Sequence, residues 1–381
     1  MSETIQATDY GFPVPAFRFD QKNEMFKRSR WDEKMQVLKV RFYEDIKYRE
    51  DIGYRKLDYA FRNASWNLEW GFGFGVSQSN AGLYSWDEMP AKWHHYLEVG
   101  DVVRESPEEM TQTIKKVAQF FGADLVGVSK VHPNWIYSHE FNTQTNEHYP
   151  IEIPEECDKA LVMAIEMDYQ AIRSSPTGVA GAATGFGYSM MAFLANAVSA
   201  FIRGLGYQAI PSGNDTALSI PLAMAAGLGE GSRMGLLVTE KFGPRVRLCK
   251  VFTDAPLLCD SYHPFGVVEF CKDCQVCAIN CPSHAIPQNG MTTEGWNISN
   301  QPGVRKWYVN AERCFAFWAK NRMDCTDCVR VCPFNKPPGL LHDLVRAVIR
   351  RTNLFNRSFV WMDGLLGYNK PIPAASFWDN H

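Results

Sequence analysis

The sequence predicts an α+β chain in which a mixed α/β sandwich is followed by a small domain organised by cysteines. Three observations carry that expectation. Strand-like apolar runs alternate with helix-periodic stretches between residues 106 and 258. Eight of the eleven cysteines fall between Cys271 and Cys332, and the first 105 residues are rich in aromatics without a sustained period.

With 381 residues, 46% of them hydrophobic, the chain can bury two or three cores. The formal net charge is -3 and no Lys/Arg tract is long enough to track a phosphate backbone, so nucleic acid is not an expected partner. The longest apolar run, Met190 to Ile202, is interrupted by Asn196 and Ser199 and reads as too short to span a bilayer. Met1 to Gly11 has neither the cationic stretch nor the hydrophobic core of a signal peptide.

Residues 1–105 carry Trp66, Trp70, Phe72, Phe74, Tyr84, Trp86, Trp93 and Tyr96 between scattered glycines and read as a wrapping region. A helix begins where Ser106 caps, Pro107 takes the first turn and Glu109 completes a capping box. Gly122 stops it, and Met110, Ile114, Val117 and Phe121 form its buried stripe. Leu125 to Val128 and Ala160 to Ile165 read as strands, Tyr188 to Leu205 as a long helix ended by Gly206, and Tyr207 to Ile210 as another strand. The loop Ser212-Gly213-Asn214-Asp215 opens a helix ending near Gly227, and Gly235 to Val238 with Arg245 to Val251 reads as a hairpin. The sandwich then spans 106–258 and the cysteine domain 259–340. Residues 341–381 hold a final helix, Leu341 to Arg351, and an aromatic tail.

The cysteines are the most specific signal. Cys271-x2-Cys274-x2-Cys277-x3-Cys281-Pro282 is the bacterial ferredoxin run, in which three thiolates from one tight loop meet three iron corners of a cube and the fourth reaches a second cube. Cys314-x10-Cys325-x2-Cys328-x3-Cys332-Pro333 repeats it with the first ligand moved upstream. The expected ligand sets are Cys271, Cys274, Cys277 and Cys332 for one [4Fe–4S] cluster, and Cys281, Cys314, Cys325 and Cys328 for the other. Zinc knuckles also use thiolates in short spacings, but do not normally carry two near-symmetric Cys-x2-Cys-x3-Cys-Pro endings. Cys157, Cys249 and Cys259 read as ordinary buried thiols.

Two one-electron centres beside a large α/β domain suggest delivery to a site that needs two electrons. Neither Gly71-Phe72-Gly73-Phe74-Gly75 nor Gly227-Leu228-Gly229-Glu230-Gly231 has dinucleotide-binding spacing, and no phosphate-binding G-x-x-x-x-G-K motif occurs. The blocks Thr184-Gly185-Phe186-Gly187-Tyr188-Ser189-Met190-Met191-Ala192, Gly204-Leu205-Gly206-Tyr207, Ser212 to Ser219, and Gly243-Pro244-Arg245-Val246-Arg247 resemble, in order, the corrinoid-dependent reductive dehalogenases. The resemblance covers about residues 105 to 340 and is loose before that.

It implies a nitroreductase-like α/β sandwich binding a base-off cobamide, with a C-terminal bacterial ferredoxin-like two-cluster domain. Consistent with that, the D-x-H-x-x-G fingerprint of histidine-ligated corrinoids is missing; Asp260-Ser261-Tyr262-His263-Pro264-Phe265-Gly266 has the wrong spacing. By the resemblance, Tyr188 is the proton donor, Arg247 the cation beside its phenolate and Asn214 a third polar group. Trp318 lines the halocarbon pocket with aromatics of the N-terminal region. Thr184, Ala217, Leu218, Met234 and Gly235 are the residues expected against the cobamide.

The expected partners are a small halogenated organic substrate, a low-potential electron donor and a small membrane-anchor protein, the last suggested by the basic face Arg346, Arg350 and Arg351. With neither a twin-arginine leader nor a fused reductase domain, the sequence reads as a mature respiratory form on the outer face of the cytoplasmic membrane; the alternative is cytoplasmic. Two other functions stay open at this point: an epoxyqueuosine reductase-like corrinoid enzyme, and a non-catalytic iron–sulfur electron carrier.

Overall fold

A computed structural model describes residues 10–45, 49–73, 82–87, 102–143 and 145–379; Phe74, Trp93 and Tyr96 of the aromatic region lie outside these. The sandwich is built on four strands, Leu125–Lys130, Lys159–Glu166, Val246–Thr253 and Ala209–Ser212, paired antiparallel in that spatial order. Strand residues alternate between two buried faces. Leu161, Met163, Ile165, Cys249 and Val251 face the helices Pro107–Phe120 and Gly178–Gly204, while Ala160, Val162, Ala164, Leu248 and Phe252 face the helix Ser219–Ala225. Burial on both faces explains why these strands read as continuous apolar runs.

The helix Pro107–Phe120 has the expected cap. The Glu109 N–H donates to Ser106 Oγ at 3.3 Å, the Glu109 carboxylate accepts from the Ser106 N–H at 3.2 Å, and Gly122 ends the helix at φ +108. Its buried stripe is Met110, Ile114 and Ala118, with Val117 and Phe121 only half-buried.

Three expectations are corrected in the sandwich. The expected hairpin does not form: Leu237–Val238 pairs with Glu230–Gly231, and Val246–Thr253 is instead an interior strand between Lys159–Glu166 and Ala209–Ser212. The long helix starts at Gly178, not Tyr188, and puts Tyr188 in its third turn. Glycines at 178, 181, 185 and 187 disfavour an isolated helix, so the pattern reads as a loop. Packing overrides propensity, because a Cβ at Gly178 would lie 3.1 Å from Asp58 and one at Gly181 3.0 Å from Asp324 Oδ1. At 27 residues this helix is long and apolar enough to cross a membrane by length and composition, contrary to the reading of its interrupted half. Here it is the core helix of the sandwich, with 56% of its apolar window buried.

The cysteine domain consists of short helices, Val267–Asp273, Val276–Ile279, Ala311–Asn321 and Asp327–Arg330, around a core that includes Phe270, Trp307, Phe334 and five of the cysteines. All eleven cysteines are free of disulfides; Cys157 and Cys249 are buried, but Cys259 is exposed, contrary to expectation. The N-terminal helices Met25–Trp31 and Glu33–Tyr43 pack on Ala311–Asn321, and Lys56–Ser65 packs along Gly178–Gly204.

Candidate active site

The eight motif cysteines converge in two sets. Cys332 feels the charge of Cys271, Cys277 and Cys274, while Cys328 feels that of Cys314 and Cys281, and Cys325 that of Cys328 and Cys314. The sets adjoin where Cys277 faces Cys328. Burial is the main cause that pushes Cys271 up to about 11 and Cys274, Cys314 and Cys328 up to about 12; neighbouring thiols add to it for the last three. Such a cage holds its protons tightly on its own, and the thiolate ligands of a cluster form when iron supplies the compensating positive charge. The donor set therefore fits two iron–sulfur cubes. Arg233 braces the first loop, donating to the carbonyls of Cys271 at 2.7 Å and Cys274 at 3.2 Å, and to Pro287 and Asn289 at 2.9 and 3.0 Å.

Tyr188, Asn214 and Arg247 meet although they come from a helix, a loop and a strand. Arg247 pairs in register with Ile165, which puts it on the helix-facing side of the sheet, and its guanidinium carbon lies 4.7 Å from the centre of the Tyr188 ring. Gly187 makes this approach possible, since a Cβ there would be 2.7 Å from Arg247 Cγ. Asn214 Nδ2 donates to the Tyr188 hydroxyl at 2.8 Å. That amide nitrogen can only donate, so the phenol oxygen accepts and its one proton is left to point elsewhere. Burial pushes the Tyr188 phenol up; Arg247 and the Asn214 bond pull it down, and Glu69 and Glu24 raise it.

Trp66 stacks on the Tyr188 ring at 4.7 Å, Trp70 stacks on Trp66 at 5.1 Å, and Arg62 lies over both indoles. A Cβ at Gly185 would overlap the Trp66 ring, so the Gly-Phe-Gly-Tyr motif clears space for both neighbours of the tyrosine. Trp318 lies one turn beyond Cys314 on Ala311–Asn321, against Phe26 and Phe42 at 5.5 and 5.9 Å. Its indole N–H is buried without a partner. The same N-terminal segment supplies Glu24 and Tyr43, which interact electrostatically with Tyr188.

Tyr43, Glu24, Glu69 and Phe26 were not singled out by sequence. They lie where the wrapping region has no period, and only contact with Tyr188 and Trp318 distinguishes them. Glu69 is strongly perturbed: burial, then the charge of Asp215, pushes it up to about 8 against a hydrogen bond from Tyr84.

The five residues expected against the cobamide divide. Thr184, one turn before Tyr188, is buried with its hydroxyl unpartnered, as a residue facing an absent polar group would be. The Arg247 Nε–H is likewise buried and unpartnered. These orphaned groups fit a polar-rimmed macrocycle, which Thr184 and Arg247 would help to hold. The backbone N–H groups of Ala217, Leu218 and Gly235 are already bonded to Asp215, Trp135 and Ser232, so these residues can offer only contact, not donors. Met234 is buried in the core of the cysteine domain.

Residues 270–335 match the 4Fe-4S double cluster binding domain, which defines the protein first as an iron–sulfur redox protein. Over 404 aligned residues the chain is 33% identical to the tetrachloroethene reductive dehalogenase of Sulfurospirillum multivorans, covering 98% of this chain and 80% of that one. It is 36% identical over 330 residues to the tetrachloroethene reductive dehalogenase of Desulfitobacterium hafniense, covering 76% of this chain and 59% of the other. The solved catabolic reductive dehalogenase NpRdhA shares the fold, with a TM-score of 0.74 at 23% identity over 97% of this chain and 49% of that one. The chain belongs to the reductive dehalogenases, and its C-terminal segment is the kind that takes two [4Fe–4S] clusters. It spans four-fifths of the Sulfurospirillum protein and about half of the catabolic one.

Proposed function

We propose that the chain replaces a carbon–halogen bond of a small organohalide by carbon–hydrogen, consuming two electrons and one proton and releasing halide. The observation that carries this is the Tyr188 hydroxyl, gripped by Asn214 and flanked by Arg247 and Trp66. The bound cobamide supplies the low-potential electrons for carbon–halogen cleavage. Tyr188 delivers the proton; a phenol is a weak acid, but a carbanion-like product is a far stronger base. Arg247 and the Asn214 amide then hold the phenolate, the guanidinium lying against the ring and the amide on its oxygen. Thr184 is the residue of this chain best placed to donate to the cofactor's rim.

The two tetrachloroethene-reducing relatives and the wall of Phe26, Trp66, Trp70 and Trp318 support a small chlorinated alkene as substrate. The cluster held by Cys281, Cys314, Cys325 and Cys328 is proposed as the one nearer the reaction. Cys328 packs against a cluster that includes Val179 and Ala183 of the helix that carries Tyr188, and Cys314 shares its helix with Trp318. Electrons enter from a low-potential donor through the other cluster. Leu340, Leu344, Trp361 and Leu365 are exposed on the C-terminal helices close to Arg350 in sequence, which supports attachment to a small membrane-anchor protein.

Tyr188→Phe tests the reading. It is expected to lower turnover of tetrachloroethene by about 100-fold while iron and corrin contents stay at the parent's level. Chloride release at the parent rate would sink the assignment.

A further inference from the structure

Lys250 lies on Val246–Thr253, three residues after Arg247, and so points to the opposite face of the sheet. It is fully buried. A buried ammonium is costly unless its protons find acceptors, and among the described residues no carboxylate is hydrogen-bonded to it. Instead Nζ donates to the carbonyl of Gly213, to those of Asp215 and Ala217 at 3.1 and 3.0 Å, and to Ser219 Oγ at 3.1 Å. Three acceptors belong to the loop that starts at Gly213 and the fourth, Ser219, opens the helix it leads into; Asn214 sits between the first two.

The loop is shaped for this grip. Thr216 takes a left-handed conformation at φ +65, Asp215 Oδ1 accepts from the Gly213 N–H at 2.7 Å, and a Cβ at Gly213 would be 2.7 Å from the Tyr84 hydroxyl. We propose that Lys250 is a positioning residue: its buried ammonium gathers the carbonyls of the loop that starts at Gly213 and so holds the Asn214 amide on the Tyr188 hydroxyl. One strand thereby sets both polar neighbours of the phenol, Arg247 directly from one face and Asn214 through Lys250 from the other. This inference rests on Tyr188 being the proton donor that Asn214 holds.

The test is a double-mutant cycle in the holoenzyme, loaded with both clusters and cobamide, read by steady-state chloride release from tetrachloroethene and by crystal structures of the variants. Lys250→Met is expected to lower kcat about tenfold with KM nearly unchanged, and to move Asn214 Nδ2 out of hydrogen-bond reach of Tyr188. Lys250→Gln still donates to two of the carbonyls and is expected to recover part of the rate. In an Asn214→Ala background, Lys250→Met is expected to cost about twofold at most. Equal losses with and without Asn214, or an Asn214 amide still bonded to Tyr188 in the Lys250→Met crystal, would overturn the proposal. Loss of folding or of cofactors in both Lys250 variants would overturn it too, since the lysine would then be structural. Parent activity in Asn214→Ala alone would instead remove Asn214 from the reaction, while the crystal structures would still decide whether Lys250 holds the loop.

Discussion

Around Tyr188, two glycines decide what a larger set of side chains can do. Gly185 admits the Trp66 ring and Gly187 admits Arg247, so each glycine acts through the neighbour it makes room for. Gly185→Ala is expected to push Trp66 off the tyrosine and to lower turnover about tenfold or more, with steady-state chloride release as the check. Glu69 is a second residue with a measurable signature. In the folded state burial keeps it protonated up to a pH of about 8, against an ordinary value of 4.5. The stabilisation from holding that proton is fully present below the ordinary value and is lost as pH rises through the folded value. Glu69→Gln removes this loss, so its Tm relative to the parent is expected to rise between pH 5 and pH 9. A flat difference across that range in scanning calorimetry would show that Glu69 is not held neutral.

Secondary-structure elements show where sequence patterns are informative and where packing takes over. Pro107–Phe120 could be read almost to the residue because its signals are local: a capping box, a proline in the first turn and a stop glycine. The cysteine motifs could be read for the same reason, as ligand spacing is a property of short loops. Gly178–Gly204 could not, because its glycines are favoured only by what lies against them, and the misread hairpin failed because pairing of Val246–Thr253 with Lys159–Glu166 is a long-range event. Of the site, Tyr188, Asn214 and Arg247 are brought together, but the aromatic and acidic wall from residues 24–70 had no periodic signature. Arg233 is another element-level feature that spacing does not reveal: it ties the Cys271–Cys274 loop to Pro287 and Asn289 and stacks on Trp307 at 4.8 Å. Arg233→Met removes the donor from four carbonyls, and leaves those of Cys271 and Cys274 buried without it. The variant is expected to lose iron from one cluster, which iron analysis and the EPR spectrum of the reduced protein would show as a fall toward half the parent's signal.

At the scale of the whole molecule, buried and half-buried polar contacts tie together the N-terminal region, the sandwich and the cysteine domain. Arg62 pairs with Asp324 at 3.0 Å, both nearly buried; Tyr54 donates to Asn321 at 2.9 Å; and Arg28 meets Glu312 at 2.6 Å. The Thr326 N–H donates to Ser175 Oγ at 2.9 Å, Arg245 to Asn335 at 2.9 Å, and the Trp378 indole N–H returns from the C-terminal tail to Asp58 at 3.0 Å. Electron transfer from the cysteine domain to the sandwich benefits from this rigidity, because Asp324 and Thr326 flank Cys325 in sequence and are held by Arg62 and Ser175 of the other two regions. Separate melting of the cysteine domain would break those contacts before anything else, so the domains are expected to unfold together. Heating the holoprotein should therefore give one midpoint, whether followed by far-UV ellipticity or by the visible absorption of the clusters. Arg62→Met strands the Asp324 carboxylate in a buried place at a cost of about 3 kcal/mol, and is expected to lower both midpoints together by several degrees. If the visible absorption bleached well before the ellipticity fell, the cysteine domain would be a separately melting unit, and the contacts centred on Asp324 would not be what couples it to the site of Tyr188.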